Sequence, residues 1–164
     1  MIFLTVGTLF PFDRLVRIVD LAVGESFIED EVFAQIGHNT FKPKNIKYVE
    51  VLDKDSFDEK LNKAAYLISH AGMGTITMAL DYGKPLLVMP RLKRFKEHVN
   101  DHQVATARKF EQLGHILAVY EAQELPRKVK QLRAFVPRPR KNQAKAVGAR
   151  IAGFLDEVNC RKKQ

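Results

Sequence analysis

Residues 66–103, YLISHAGMGTITMALDYGKPLLVMPRLKRFKEHVNDHQ, restrict the fold most, because an apolar run, a glycine turn, a helical stretch and a second apolar run follow in quick succession. Two strands joined through a helix cannot form a hairpin, so the helix must cross over and the strands lie parallel. Residues 66–68 make the first strand. Leu86, Leu87, Val88 and Met89 make the second, a continuous apolar run of the kind buried on both faces of a parallel sheet. Between them, Ser69-His70-Ala71-Gly72-Met73-Gly74-Thr75 turns the chain into a helix over 75–82, which Gly83-Lys84-Pro85 stops. Glycines let backbone amides approach a ligand, and the helix aims its positive end the same way. Ser69, His70, Gly72, Met73, Gly74 and Thr75 are therefore candidates for gripping a phosphate. The general fingerprints GxGxxG and GxxxxGK[ST] are both absent, and the same residues also fit a tight strand-to-helix turn with no ligand.

The rest of the chain repeats the alternation. Residues 2–6 are an apolar, β-rich run ending at Gly7-Thr8, and a helical pattern starts at Pro11-Phe12-Asp13 with Leu15, Val16, Ile18, Val19 and Ala22 on one side. Further strands are predicted over 32–36, 48–52 and 116–119. Helices are predicted over 57–64, capped by Asp55 or Ser56, from about 99–101 to 113, and over 121–135. Six strands alternating with helices give an α/β chain with a doubly wound, mostly parallel, Rossmann-like sheet. Ligands of such sheets lie outside the carboxyl ends of the strands. Gly7-Thr8, Gly37-His38, the turn at 69–75 and the segment 90–103 all follow strand ends, so they converge on one crevice. Gln35, polar inside an apolar strand, is either a satisfied core residue or points to that crevice. His38 reads as a loop residue.

Asn100, Asp101, His102 and Gln103 fall at or just ahead of a helix start beside the crevice, where polar groups suit sugar hydroxyls. Capping alone would explain Asn100 or Asp101, but a cap requires neither His102 nor Gln103.

The serine-histidine-alanine-glycine turn, the glycine-lysine-proline turn and the Asn100-Asp101-His102-Gln103 box occur here in an order that resembles the donor-nucleotide half of glycosyltransferase family 28, over residues 1–119. Within the family the chain is most similar to the small catalytic subunits of two-chain enzymes, both the bacterial exopolysaccharide type and the eukaryotic type that adds the second N-acetylglucosamine to a dolichol-linked oligosaccharide. The resemblance implies half of a GT-B fold, with the UDP-sugar a substrate and no cofactor. It implies that Gly7, Thr8 and the turn at Ser69, His70, Gly72, Met73, Gly74 and Thr75 hold the diphosphate, and that Asn100, Asp101, His102 and Gln103 hold the sugar. Transfer would be inverting and independent of metal. Growing negative charge on the leaving group would meet helix amides, the Thr75 hydroxyl and Arg91 or His70. The general base belongs to a partner, with His70 the candidate on this chain. The implied partner is a membrane-associated, acceptor-binding subunit, and the implied acceptor a lipid-linked saccharide. The chain is thus expected to be cytoplasmic and peripheral at the inner membrane face. At one position it departs from the pattern: the helical carboxylate that binds the ribose in many members is Met78 here. Asp81, three residues later, does not inherit that role.

Charge divides the chain. From residue 125 onward twelve Lys and Arg face only Asp156 and Glu157, a local net charge of +10 within a total of +8, so residues 1–124 carry −2. The division expected is a nucleotide-sugar-binding domain over 1–135 and, after the break VPRPRKN at 136–142, a basic C-terminal helix and tail over 136–164. That helix keeps Ala144, Val147, Ile151, Phe154 and Val158 on one face. A basic stripe suits an anionic membrane surface or an acidic partner; with Phe135 and Phe154 its only aromatics and no recognition motif, nucleic acid is not expected. The single cysteine, Cys160, has no internal disulfide partner. No apolar run approaches 18 residues, and Met1 leads straight into IFLTV, so neither a transmembrane helix nor a signal peptide is expected. Two other readings stay open: a nucleotide-sugar-binding regulator or scaffold without transfer activity, and a dinucleotide enzyme or nucleic-acid binder on the same sheet.

Overall fold

The structure, a computed structural model, describes residues 1–140 and 144–161. Six strands, β1 (Ile2–Thr5), β2 (Val32–Gln35), β3 (Lys47–Val49), β4 (Tyr66–His70), β5 (Leu86–Met89) and β6 (Leu117–Ala118), form one sheet in the order β3-β2-β1-β4-β5-β6. Every pairing is parallel. The helices are α1 (Asp13–Gly24), α2 (Lys54–Lys63), α3 (Met73–Asp81), α4 (His102–Gln112), α5 (Leu125–Leu132) and α6 (Ala144–Arg161).

The apolar runs explain the two-sided packing. Side chains alternate along a strand, so Ile2 and Leu4 join Leu15, Val16 and Val19 of α1 and Val129 and Leu132 of α5 on one face. Phe3, Leu67, Leu86 and Val88 join Leu61 of α2, Ile76 and Ala79 of α3 and Ala107 of α4 on the other. Chain order reverses between β1 and β4, which puts the loops after these central strands next to each other at the carboxyl edge, where crevices of doubly wound sheets open.

Several boundaries move from their expected places, each for a local reason. α2 starts at Lys54 because Asp53, rather than Asp55 or Ser56, is its cap, its carboxylate accepting the Ser56 N–H at 2.8 Å. α3 starts at Met73, two residues early, so Gly72 is its N-cap and Gly74 lies in its first turn. α4 waits until His102. The Asp101 carboxylate accepts the Lys93 N–H at 2.7 Å and the Asn100 side chain accepts the His102 N–H at 3.3 Å, so these groups hold the preceding loop in place of helix. A 3-10 turn, Lys93–Phe95, forms inside that loop. The helix expected over 121–135 divides into a 3-10 turn, Ala122–Glu124, and α5, with Pro126 in its first turn. β3 starts one residue early.

Residues 136–140 are tied to the sheet domain. The Arg138 N–H donates to the Gly114 carbonyl at 2.9 Å, and Arg140 pairs with Asp81 at 3.1 Å. The expected C-terminal helix is α6, on which Ile151, Phe154 and Leu155 are exposed and Val158 is half-buried. Residues 141 and 142 of the break, the side chains of Ala144, Val147 and Cys160, and the tail at 162–164 lie outside what is described. No helix among the described residues is long and apolar enough to cross a membrane.

Candidate functional site

The crevice is built on the β1 and β4 ends. Gly7 follows β1 with a φ of +76°, a left-handed conformation that favours glycine. A Cβ on Gly7 would sit 3.1 Å from His70 Cε1, and one on Gly72 would collide with Nε2 and lie 2.8 Å from Cδ2. The His70 ring thus stands between two glycines, one from each central loop. A Cβ on Gly74 would meet nothing within 4 Å. Only Gly7 and Gly72 are glycines that the ring requires; Gly74 leaves open space over the first turn of α3. Thr8, Met73 and Gly74 are exposed and Thr75 is half-buried, so this edge is open to solvent.

Ser69, fully buried, donates its hydroxyl to the Thr5 carbonyl at 2.6 Å and lies 3.2 Å from His70 Nδ1. Burial, followed by the Arg91 charge and His98, pushes the His70 pKa down to about 4, so the imidazole is neutral at pH 7.

Arg91 does not reach out as a free phosphate ligand. It is buried, and one Nη donates to the Val6 carbonyl at 2.8 Å and to the Phe10 carbonyl at 2.5 Å, clasping the loop after β1 from the loop after β5. Its Nε is buried without a partner, and burial lowers its pKa to about 10, which leaves it charged at neutral pH. A second clasp lies beside it. Arg14 of α1 donates through Nε and Nη2 to both oxygens of the buried Glu97 carboxylate, at 2.7 and 2.8 Å, and through Nη2 to the Pro90 carbonyl at 2.9 Å. Glu97 also accepts the Leu92 N–H at 2.9 Å. Asn39, beyond β2, accepts the Phe12 N–H at 2.6 Å and completes the frame around residues 7–12.

The four polar residues at the start of α4 do not act alike. Gln103 is buried and accepts the Arg91 N–H at 3.1 Å through its carbonyl oxygen. Asn100 is bonded to His102, whose ring packs on His98 at 4.7 Å between centroids; His98 in turn packs on Phe10 at 5.3 Å. His98 is lowered in pKa, by desolvation first and then by His102 and Arg91. Asp101, spent on the Lys93 amide, lines a cavity of ≈ 600 Å³ with Arg108 and Tyr120, and none of the glycine-turn residues lines it. So Gly7, Ser69, His70 and Gly72 come together, Gln103 joins them through Arg91, and Asp101 faces elsewhere.

Other sequence expectations resolve plainly. Gln35 is a satisfied core residue: its side-chain oxygen accepts the Leu52 N–H at 3.1 Å and its amide donates to the Thr5 hydroxyl at 3.5 Å. His38 is an exposed loop residue. Met78 packs half-buried against the core around α3, and Asp81 at the end of α3 is held by Arg140. Reasoning from sequence missed Arg14, Asn39 and Glu97. Glu97 lies in the segment 90–103 that follows a strand end, but nothing in the sequence pairs it with Arg14, or Asn39 with Phe12. Among the described residues, no group of three or more His, Cys, Asp or Glu is arranged to hold a metal ion.

The model of the glycosyltransferase family 28 C-terminal domain matches residues 1–158. A curated relative from Mus musculus, "UDP-N-acetylglucosamine transferase subunit ALG13", is 37% identical over 123 residues, which covers 70% of this chain and 10% of the relative. The chain therefore spans about a tenth of the length of that relative. Among solved structures, the glycosyltransferase of kitacinnamycin superposes with a TM-score of 0.60 at 21% identity over 81% of this chain and 34% of its own. A solution structure of ALG13 does so with a TM-score of 0.57 at 18% identity over 92% and 93%. At such identities the structural matches speak for the fold alone.

Proposed function

Since the chain belongs to the family of glycosyltransferase family 28 C-terminal domains, we propose that it is the donor-binding subunit of a UDP-sugar-dependent glycosyltransferase. The observation that carries the proposal is the His70 ring standing between Gly7 and Gly72 at the point where strand order reverses. There the loops after β1 and β4 leave backbone amides and the N-terminus of α3 open to a diphosphate, the group on which charge accumulates as the glycosidic bond breaks. Gly7, Thr8, Gly72, Met73, Gly74 and Thr75 form the cradle in this reading, with His70 a further contact. Buried Gln103 and neighbouring His102 and Asn100 face the sugar. Ribose is held without the helical carboxylate, because Met78 occupies its position. The reading is one of metal-independent transfer, inverting at the anomeric carbon; in the Asp53-Lys54-Asp55 sequence the Asp53 carboxylate is engaged in capping α2. N-acetylglucosamine is the sugar favoured by the relative at 37% identity.

The six strands and the helices α1 to α5 build one α/β half, the donor half in this reading. We therefore read the acceptor, a lipid-linked saccharide, as held by a separate membrane-associated subunit, with this chain at the cytoplasmic face through it. The exposed Ile151, Phe154 and Leu155 of α6, on a basic segment, give such a partner or an anionic membrane an attachment. The expected result is little or no transfer from UDP-N-acetylglucosamine to a lipid-linked acceptor by the purified chain, and transfer on adding the acceptor-binding subunit. Full activity of the isolated chain overturns the division of labour. Binding of UDP without transfer under either condition favours a regulator or scaffold.

The sugar contacts are tested separately. Gln103→Ala is expected to weaken the UDP-sugar more than UDP, by about 1 to 3 kcal/mol for a lost buried hydrogen bond. Equal losses for the two ligands, measured by calorimetry, remove Gln103 from the sugar site.

A further inference from the structure

The Ser69 hydroxyl stands between two neighbours that constrain it differently. Toward β1 it meets the Thr5 main-chain oxygen at 2.6 Å, and toward its own chain it meets His70 Nδ1 at 3.2 Å. A carbonyl oxygen only accepts, so the one hydroxyl proton is committed to Thr5. What the hydroxyl presents to His70 is a lone pair, and Nδ1 must carry the ring hydrogen. In the neutral ring Nε2 is then a bare acceptor. Among the described residues the ring's hydrogen bond is the one at Nδ1, and Nε2 lies on the side of the ring where a Cβ on Gly72 would collide. The groups that face the ring are Arg91 and His98 from the loop after β5 and Ser69 from β4. Neither residues 7–12 nor the first two turns of α3 contain a charged side chain. Burial, Arg91 and His98 together keep the ring uncharged in the free protein.

A bare nitrogen lone pair repels a phosphate oxygen. A nucleoside diphosphate can settle against this ring only if a proton arrives as well.

We infer that Ser69 is a positioning residue: its hydroxyl fixes His70 in the Nδ1–H form, so that Nε2 takes a proton from solvent when a nucleoside diphosphate binds and returns it when the diphosphate leaves. No covalent bond changes, and the charge gained by the ring is matched by that of the ligand. The inference rests on the donor-site reading above.

Nitrogen-resolved NMR of the full chain at pH 7 tests the free state directly. The expected result is a neutral His70 protonated at Nδ1, a shift to the Nε2–H form in Ser69→Ala, and its reversal in Ser69→Thr, which keeps the hydroxyl. An Nε2–H ring in the unsubstituted protein, or an unchanged tautomer in Ser69→Ala, overturns the inference.

The bound state is read by calorimetry with UDP in buffers of different ionisation enthalpy, on the unsubstituted chain, so that it stands even if the variants fail to fold. Between pH 7 and 8.5 the diphosphate's own charge is nearly constant. Over that interval up to one proton is expected to be taken up per UDP, with affinity falling tenfold per pH unit where the uptake is a full proton and levelling off as the complex itself titrates. Uridine, lacking phosphate, is expected to take up none. UDP binding without proton uptake overturns the inference and leaves the donor site standing. No UDP binding at any pH overturns the donor-site reading and the uptake with it, while the tautomer is still decided by the free protein's spectrum.

Discussion

Replacing Gly72 with alanine is expected to weaken UDP binding by a hundredfold or more, equivalent to about 2.7 kcal/mol, without unfolding the chain. The added methyl would occupy the space of His70 Nε2 and come within 2.8 Å of Cδ2. The ring has no retreat toward β1, because its Cε1 already lies against Gly7. It must therefore rotate out, lose Ser69 and block the cradle. Gly72 has a φ of −84°, so alanine there adds no backbone strain, and the loss is specific to the site. Gly153→Ala, in α6 and outside the cradle, is the matching control. Its methyl meets nothing within 4 Å, and alanine suits a helix interior better than glycine. UDP titration of both variants, with circular dichroism to confirm the fold, checks the pair. Affinity within about threefold of the unsubstituted chain for Gly72→Ala would remove His70 from the diphosphate site.

The second large effect is on stability. Glu97→Ala is expected to cost about 3 kcal/mol, near the lower end for breaking a buried ion pair, because Arg14 keeps partial access to water. The side chains of Arg14 and Glu97 are 20% and 8% exposed, and Glu97 additionally holds the Leu92 amide. Its removal leaves a guanidinium without its carboxylate beside Pro90 and frees the loop that carries Arg91. The urea midpoint should fall strongly, and UDP-sugar affinity should fall with it as Gln103 and the loop after β1 lose their support. Glu50→Ala, which breaks an exposed pair with Lys42, should leave the midpoint where it was. Equal midpoints for both variants would mean that the clasp contributes nothing.

The parallel sheet was legible because its information is local. Apolar runs such as 86–89, the glycine turns and the strand-helix alternation each declare themselves within a few residues, and all six strands appear within one to three residues of their expected limits. The site was legible only to the extent that it too is local. The order Ser69-His70-Ala71-Gly72 announces a strand-to-helix turn, yet the reason Gly72 must be glycine is the His70 ring two residues back. That depends on rotamers fixed by Thr5 on another strand. Arg91 illustrates the limit more sharply. A lone arginine after a strand end suggested a phosphate ligand, and in the fold it is sealed under the loop after β1, bonding carbonyls of Val6 and Phe10. Residues 99–101 failed as helix because side chains of Asn100 and Asp101 offered the backbone other partners, a competition that hydrophobic periodicity does not register.

The distance along the chain between the two halves of each clasp has a consequence in time. Arg14 and Glu97 are 83 residues apart, and Arg91 and Val6 are 85 apart. At roughly 5 to 20 residues per second of synthesis, the loop after β1 leaves the ribosome some 4 to 17 seconds before the arginine that will fix it. The central strand itself waits for β4, whose Tyr66 pairs with Ile2. The crevice therefore cannot mature piece by piece as the chain emerges. It closes in one late event, and until then a nascent chain has no shaped pocket in which to capture a nucleotide.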